Sequence, residues 1–314
     1  MRYLGIIGQG FVGSSIRECL RSHFQIMTYD SKYEEMAVYG KEGSYTQKVD
    51  DPFLELIDHC KLIFLCLPTP MSHDGSCDIS IICSVLNNLD LLSENKPKKT
   101  NVVIKSTIPP GTTEQVQIAF PNLNICFNPE FLREATAEDD FKNQQWIIAA
   151  GNEDCAKILE DVYKETLPQA VFLFCKEKIA EMVKYTINCY LATKVSFANE
   201  IKQICDKLKI SYNDMIQLAT RDERLGKSHW QVPGPMPADD GSRMLLHGFG
   251  GSCFVKDLNA LIDVAYELGI DPLVMKAAWD KNVEVRPERD WENLVGRAVV
   301  DRRTKSEDQK ERVA

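Results

Sequence analysis

The 314-residue chain is short of positive charge, has few histidines and lacks both a CxxC pair and any long apolar run. Lys and Arg number 37 against 46 Asp and Glu, a formal net charge of −9. Nucleic acid and anionic membranes are held by clustered cations, so neither is expected as a partner. No apolar stretch approaches a transmembrane span, and the N-terminal run over 3–7 breaks at Gly8, too short for a signal peptide. A cytoplasmic protein is therefore expected. The eleven cysteines are scattered, and none of the five histidines stands at ligand spacing from a cysteine pair. That pattern argues against a disulfide framework and against zinc, and no metal is expected; most of the thiols read as small buried hydrophobes.

With 44% hydrophobic and 26% charged residues, the chain has the balance of a globular protein long enough for two domains. Short β-rich runs at 3–7, 25–29, 62–67, 102–105, 123–127, 146–149 and 170–174 alternate with helical periodicity. The alternation predicts an α/β fold, a Rossmann-like doubly wound parallel sheet. From Lys176 to about Leu208 one long helical period takes over, with Ile179, Val183, Ile187, Tyr190, Leu191, Ala198, Ile201 and Cys205 on an apolar stripe. The predicted organisation is a nucleotide-binding domain over 1–175, a helical domain built on a long central helix over 176–300, and a charged tail over 301–314. A Gly- and Pro-rich stretch from Leu225 to Ser252 reads as a long inserted loop. The length of the apolar stripe predicts a homodimer through the long helix.

Gly8-Gln9-Gly10-Phe11-Val12-Gly13 follows the first strand and opens a helix, so its glycines allow a tight turn and close approach of a pyrophosphate to the helix N-terminus. Asp30, ending the second strand, can accept hydrogen bonds from an adenine ribose and would repel a 2'-phosphate, which favours NAD over NADP. The bland alternative is a strand–helix turn that is merely glycine-rich. Two turns, Pro68-Thr69-Pro70 and Ser106-Thr107-Ile108-Pro109, close further strands on the same sheet edge, though each alone could be simple punctuation.

The segment from Gly248 to Asp257 places Cys253 behind a glycine loop at the apparent start of a helix. A helix N-terminus and the nearby Lys256 would both favour a thiolate. A lone cysteine would more simply be an inert buried thiol; the glycines and Lys256-Asp257 favour the nucleophile. Asn128-Pro129-Glu130-Phe131-Leu132-Arg133-Glu134 carries two carboxylates four apart, on one side if Leu132 onward is helical, or else an acid-decorated helix start. Lys184 and Asn188, also four apart, could form an oxyanion site or belong to a solvated face.

Taken in order, these segments resemble the UDP-glucose/GDP-mannose dehydrogenases, the most specific being the cysteine segment and the run from Asn128 to Glu134. The resemblance implies a four-electron oxidation at C6 of a nucleotide sugar, such as UDP-glucose to UDP-glucuronate, using two NAD molecules in succession. It makes Cys253 the nucleophile that carries a thiohemiacetal and then a thioester. A water near Thr107 and Asp257 takes the first proton, Glu130 activates the hydrolytic water, and Lys184 and Asn188 stabilise the oxyanions. It further implies that Gly8, Gly10, Phe11, Val12, Gly13, Asp30, Thr69, Thr107, Glu134 and Lys256 contact NAD. Glu130, Phe131, Leu132, Arg133, Glu134, Lys184, Asn188 and Gly250 would line the sugar site.

Members of the family usually continue into a second α/β domain that grips the nucleotide. This sequence stops soon after Leu294, so it reads as a short form lacking that domain, whether naturally short, truncated or a degenerate copy; in the first case the loop over 229–243, including Arg243, is expected to take over nucleotide contacts. Two other functions fit parts of the pattern. A two-electron 3-hydroxyacid-type dehydrogenase would use a helix Lys near an Asn but gives Cys253 no role, and a non-catalytic NAD-binding protein would bind the cofactor and turn nothing over.

Overall fold

The computed structural model describes residues 3–33, 35–133, 136–237 and 243–301, with the backbone alone described at 237 and 243. The chain divides into two compact units, Met1–Thr69 with Ile79–Lys184, and Pro70–Asp78 with Tyr185–Ala314.

The first unit holds β1 (Tyr3–Ile7), α1 (Phe11–Leu20), β2 (Gln25–Tyr29), β3 (Met36–Gly40), β4 (Gly43–Gln47), α2 (Pro52–His59), β5 (Cys60–Leu65), α3 (Ser80–Ser93) and β6 (Thr100–Ile104). It continues through α4 (Thr112–Ala119), β7 (Leu123–Phe127), α5 (Ala137–Lys142), β8 (Trp146–Gly151), α6 (Glu153–Thr166), β9 (Val171–Cys175) and the first turns of α7 (Glu177–Leu208). The strands form one sheet in the order β4-β3-β2-β1-β5-β6-β7-β8-β9. Its central strands β2, β1, β5, β6 and β7 are parallel and read as nearly unbroken apolar runs because helices cover both faces. Leu4, Ile6, Leu62, Phe64 and Val103 pack on one face with Ile16, Leu20, Leu159 and Val162. Ile7, Ile63, Leu65, Val102 and Ile104 pack on the other with Leu56, Ile82, Leu86 and Val116. The winding reverses at β1, which pairs with β2 on one side and β5 on the other, and such a switch point opens a crevice beyond the strand C-termini.

The Rossmann-like class expected from the sequence is what the chain adopts, with an addition. The hairpin β3–β4, not anticipated, extends the sheet antiparallel to β2, and β8 joins β7 antiparallel. Gly40 pairs with Gly43 across the hairpin turn, and Met36 and Val38 face the core, a period-two signal too short to stand out in the sequence.

The second unit comprises the rest of α7, α8 (Tyr212–Ala219), the antiparallel pair β10 (Gly234–Pro237) and β11 (Arg243–Leu246), α9 (Cys253–Glu267), α10 (Leu273–Val285) and a 3-10 turn at Asp290–Asn293. Tyr185, Cys189, Phe249, Val255, Leu258 and Trp291 form its main core. The segment 70–78 belongs here because Met71 N–H donates to the Ala298 carbonyl at 2.8 Å and Val300 N–H to the Met71 carbonyl at 3.0 Å.

Two expectations need correction. The stretch from Leu225 to Ser252 is not a plain loop but carries β10 and β11; backbone pairing forms a ladder despite Pro235 and Pro237, which two-stranded ribbons tolerate at their edges. On α7, Ile179 and Tyr190 of the expected apolar stripe are exposed, while Glu181, Lys184, Asn188 and Asn199 are buried. No helix among the described residues is long and apolar enough to cross a membrane.

Candidate active site

At the end of β1 the chain turns at Gly8, whose φ of 93° suits glycine; a Cβ there would strike the Cys66 carbonyl, and one on Gly13 would strike the Gly8 carbonyl. Gly10 caps α1 without a side-chain hydrogen bond, and a Cβ added to it would meet nothing within 4 Å. Open space thus lies beside Gly10 at the start of α1, where helix N–H groups lack intrahelical partners, which suits a pyrophosphate. Asp30 follows β2, and its carboxylate accepts from Gln9 N–H at 2.7 Å and Lys32 N–H at 3.0 Å. This carboxylate beside the glycine turn, at the switch point, fits the adenosine side of NAD. Thr69 Oγ1 donates to the Thr107 carbonyl at 2.9 Å, and Ser106 Oγ donates to the Leu67 carbonyl at 2.6 Å, so the turns after β5 and β6 are tied together. Phe11 and Val12 are half-buried, Val12 against the core.

The first unit also gathers a buried polar group at the ends of β6 and β7. Glu130 is 8% exposed; its carbonyl accepts from Lys184 Nζ at 2.5 Å and its Oε1 from the same ammonium at 3.2 Å. Its Oε2 accepts from Leu132 N–H at 2.6 Å. The Phe131 ring packs tilted against Trp146 with centroids 4.8 Å apart, and its centroid lies 5.3 Å from the Lys184 ammonium. Leu132 packs against the core, and Arg133 is exposed and paired with Asp140. The condition on which Glu130 and Glu134 would share a helix side fails: Leu132 and Arg133 are not helical, and α5 begins at Ala137. The turn through Glu130 is held instead by its own carboxylate. Glu134 lies outside the described residues.

Behind this turn Asn128, the first residue of the run to Glu134, meets two residues to which no sequence pattern gave a role, Lys105 and Tyr163. Lys105 Nζ donates to Asn128 Oδ1 at 2.8 Å, Tyr163 OH donates to the same oxygen at 2.8 Å, and Asn128 Nδ2 donates to the Ile148 carbonyl at 2.6 Å. Burial lowers the Lys105 ammonium to about 8, partly offset by Cys66 and Glu130. Burial likewise pushes the Cys66 thiol up to about 12 and Cys19 to about 11, and raises Cys60, Cys155 and Cys189, so these thiols are poor nucleophiles. Lys105 stands where an apolar strand ends, the one signal that could have marked it.

In the second unit Cys253 is the first residue of α9, behind the glycine loop, and half-buried. Asp257, 1% exposed, accepts from Lys256 Nζ at 2.5 Å and from Asn188 Nδ2 at 2.6 Å. Burial alone would lower the Lys256 ammonium, but Asp257, with Cys77 and Cys253, raises it, so it stays charged. Lys184 and Asn188, one turn apart on α7, are 3% and 7% exposed, which rules out the solvated-face reading. Gly250 lies in the loop before Cys253, and a Cβ there would come within 2.5 Å of Arg286 Nη2 and Asp290 Oδ1.

Comparison with known proteins matches both parts of the chain to one family. Residues 25–167 match the NAD binding domain of the UDP-glucose/GDP-mannose dehydrogenase family, and residues 178–284 match its central domain. The chain is 30% identical over 320 residues to UDP-glucose 6-dehydrogenase AglM of Haloferax volcanii, covering 91% of this chain and 70% of that protein. To the UDP-glucose 6-dehydrogenase of Rickettsia typhi it is 32% identical over 232 residues, 72% of this chain and 49% of that protein. It thus spans about half the length of that relative. The solved structure of a UDP-glucose dehydrogenase from Pyrobaculum islandicum superposes with a TM-score of 0.75 at 28% identity, covering 94% of this chain and 70% of that one. With both domain matches falling in order on a Rossmann-like sheet and the helical region after it, the chain belongs to the UDP-glucose/GDP-mannose dehydrogenase family, and NAD is its cofactor.

Proposed function

We propose that this protein is an NAD-dependent nucleotide-sugar 6-dehydrogenase that takes a primary alcohol to the carboxylate, with UDP-glucose as substrate and UDP-glucuronate as product. In this reading residues 1–175 bind NAD and residues 176–300 supply the nucleophile. The observation that carries it is Cys253 at the first position of α9, beside the buried Lys256–Asp257–Asn188 chain. A helix N-terminus and a retained ammonium both favour the thiolate.

NAD, when bound by Gly8 to Gly13, Asp30, Thr69, Thr107, Glu134 and Lys256, supplies the hydride acceptor for each oxidation. Thr107 and Asp257 hold the water that removes the alcohol proton in the first. Cys253 sulfur then bonds to C6 of the aldehyde, giving a thiohemiacetal whose oxidation leaves a thioester. Glu130 takes a proton from water as the water attacks the thioester carbon, the C–S bond breaks, and the thiolate returns. Lys184 and Asn188 donate to the oxyanions that form at C6. The covalent link keeps the aldehyde in place while spent cofactor is exchanged, a need that a two-electron dehydrogenase does not have. Around the sugar, Glu130 to Glu134 and Gly250 complete the contacts.

The test is to count NADH formed per sugar consumed with NAD and UDP-glucose, and to repeat it with Cys253→Ala. Two NADH per sugar, lost in the variant, is the expected result. One NADH per substrate with the variant still active would replace this reading with a two-electron dehydrogenase, and cofactor binding without turnover on any nucleotide sugar would replace it with a non-catalytic protein.

A further inference from the structure

The loop from His247 to Ser252 has no regular structure of its own, yet side chains from outside it hold almost every turn of its backbone. Asn282, fully buried on α10, accepts from Phe249 N–H at 2.7 Å and donates through Nδ2 to the Phe249 carbonyl at 2.9 Å. Arg286, 1% exposed just past the end of α10, donates from Nη1 to the His247 carbonyl at 3.0 Å. Its Nε donates to Asp290 Oδ1 at 2.5 Å, and Asp290 Oδ2 accepts from Gly251 N–H at 3.1 Å. The same side chains explain the glycines. A Cβ on Gly248 would strike Asn282 Oδ1, and one on Gly250 would meet Arg286 and Asp290 at 2.5 Å.

A buried guanidinium is a costly way to fill a protein interior, since a well-packed apolar side chain would usually serve stability as well or better. What the guanidinium and the amide provide, and an apolar group cannot, is directional hold on a backbone. Two residues past Gly251 that backbone becomes α9 at Cys253.

We propose that Asn282, Arg286 and Asp290 are positioning residues that fix the glycine loop and thereby set the Cys253 sulfur at the start of α9. The proposal rests on Cys253 being the nucleophile, and the experiment therefore has an arm that needs no turnover.

In the full chain, the rate of Cys253 alkylation by iodoacetamide, followed by peptide mass mapping, is measured against pH for the wild type, Arg286→Lys and Asp290→Asn. Arg286→Lys keeps the charge and loses the fork; Asp290→Asn keeps the shape and sits on a half-exposed side chain, so it keeps the test decisive even if the core variant fails to fold. Positioning predicts that the alkylation midpoint of Cys253 rises by about half a pH unit or more in both variants. It also predicts that kcat with UDP-glucose falls by about tenfold or more while KM for NAD stays within about twofold. Loss of the Asp290 charge by itself would move the midpoint down. A midpoint that is unchanged or lower in Asp290→Asn overturns the proposal, whatever happens to the urea midpoint. If the wild type turns over no nucleotide sugar, the dehydrogenase reading fails, and the alkylation arm still decides this one.

Discussion

Lys105 carries its ammonium into the interior at the end of β6, and the consequence is a stability that depends on pH. In the folded chain burial lowers this group to about 8, while an unfolded lysine holds its proton to about 10.4. Between those values the unfolded state binds more protons, so the Lys105 contribution becomes more favourable to folding as pH rises through that window, and its cost is fully present below it. Lys105→Met lacks the group. The stability of the wild type relative to Lys105→Met, from urea unfolding, should therefore increase between about pH 8 and pH 10; a difference that is flat or falls with pH would contradict the burial of the charge. Cys253 and Lys256 were legible because their chemistry lies in one continuous segment. The cluster of Lys105, Asn128 and Tyr163 was not, although Asn128 opens a segment the sequence marked, because three residues spread over 58 positions meet only through the sheet.

At the scale of elements, α4 begins at Gly111 in a left-handed turn, with no cap from its own side chain. Its orphan donors are met by Glu181 of α7, which is fully buried and accepts from Gly111 N–H at 2.5 Å, Thr113 N–H at 2.8 Å and Thr113 Oγ1 at 2.6 Å. Burial raises the Glu181 carboxyl, opposed by these hydrogen bonds. Removing the acceptor leaves several buried donors unpaired. Glu181→Ala should lower unfolding free energy by about 3 kcal/mol, with Glu181→Gln losing less because one amide oxygen remains. Equal losses in the two variants, read from denaturant midpoints, would show that the packing and not the hydrogen bonds matters. Helix length and position were readable from the periodicity of α7, but which face turns inward was not. Its inward side mixes Glu181, Lys184, Asn188 and Asn199 with Ala180, Tyr185, Cys189 and Ala192 because neighbouring helix starts and turns need acceptors and donors there, and hydrophobic pattern alone carries no trace of those partners.

At the scale of the whole molecule, the second unit leaves Tyr190, Phe197, Ile204 and Leu208 of α7 at 48–64% exposure, three of them at seven-residue spacing. A seven-residue apolar repeat is a seam for another helix, and a copy of the same helix satisfies it with two-fold symmetry. We propose a homodimer across this face. Light scattering at micromolar concentration should give twice the chain mass, and Phe197→Glu with Ile204→Glu should halve it; a monomeric wild type would end the idea.

The amino-acid sequence by itself determined the alternation of strands and helices, the glycine turn with Asp30 beside it, and the segment that carries the thiol. Each of these is a local pattern, since propensity, periodicity and turn chemistry act within a few residues of one another. Only the tertiary structure decided that Pro70–Asp78 joins the second unit, that Lys184 and Asn188 are buried, and that Asn282, Arg286 and Asp290 shape the loop before Cys253. Those outcomes depend on buried polar groups finding partners across tens of residues, a requirement that the burial of backbone and charge imposes and that no window of sequence contains.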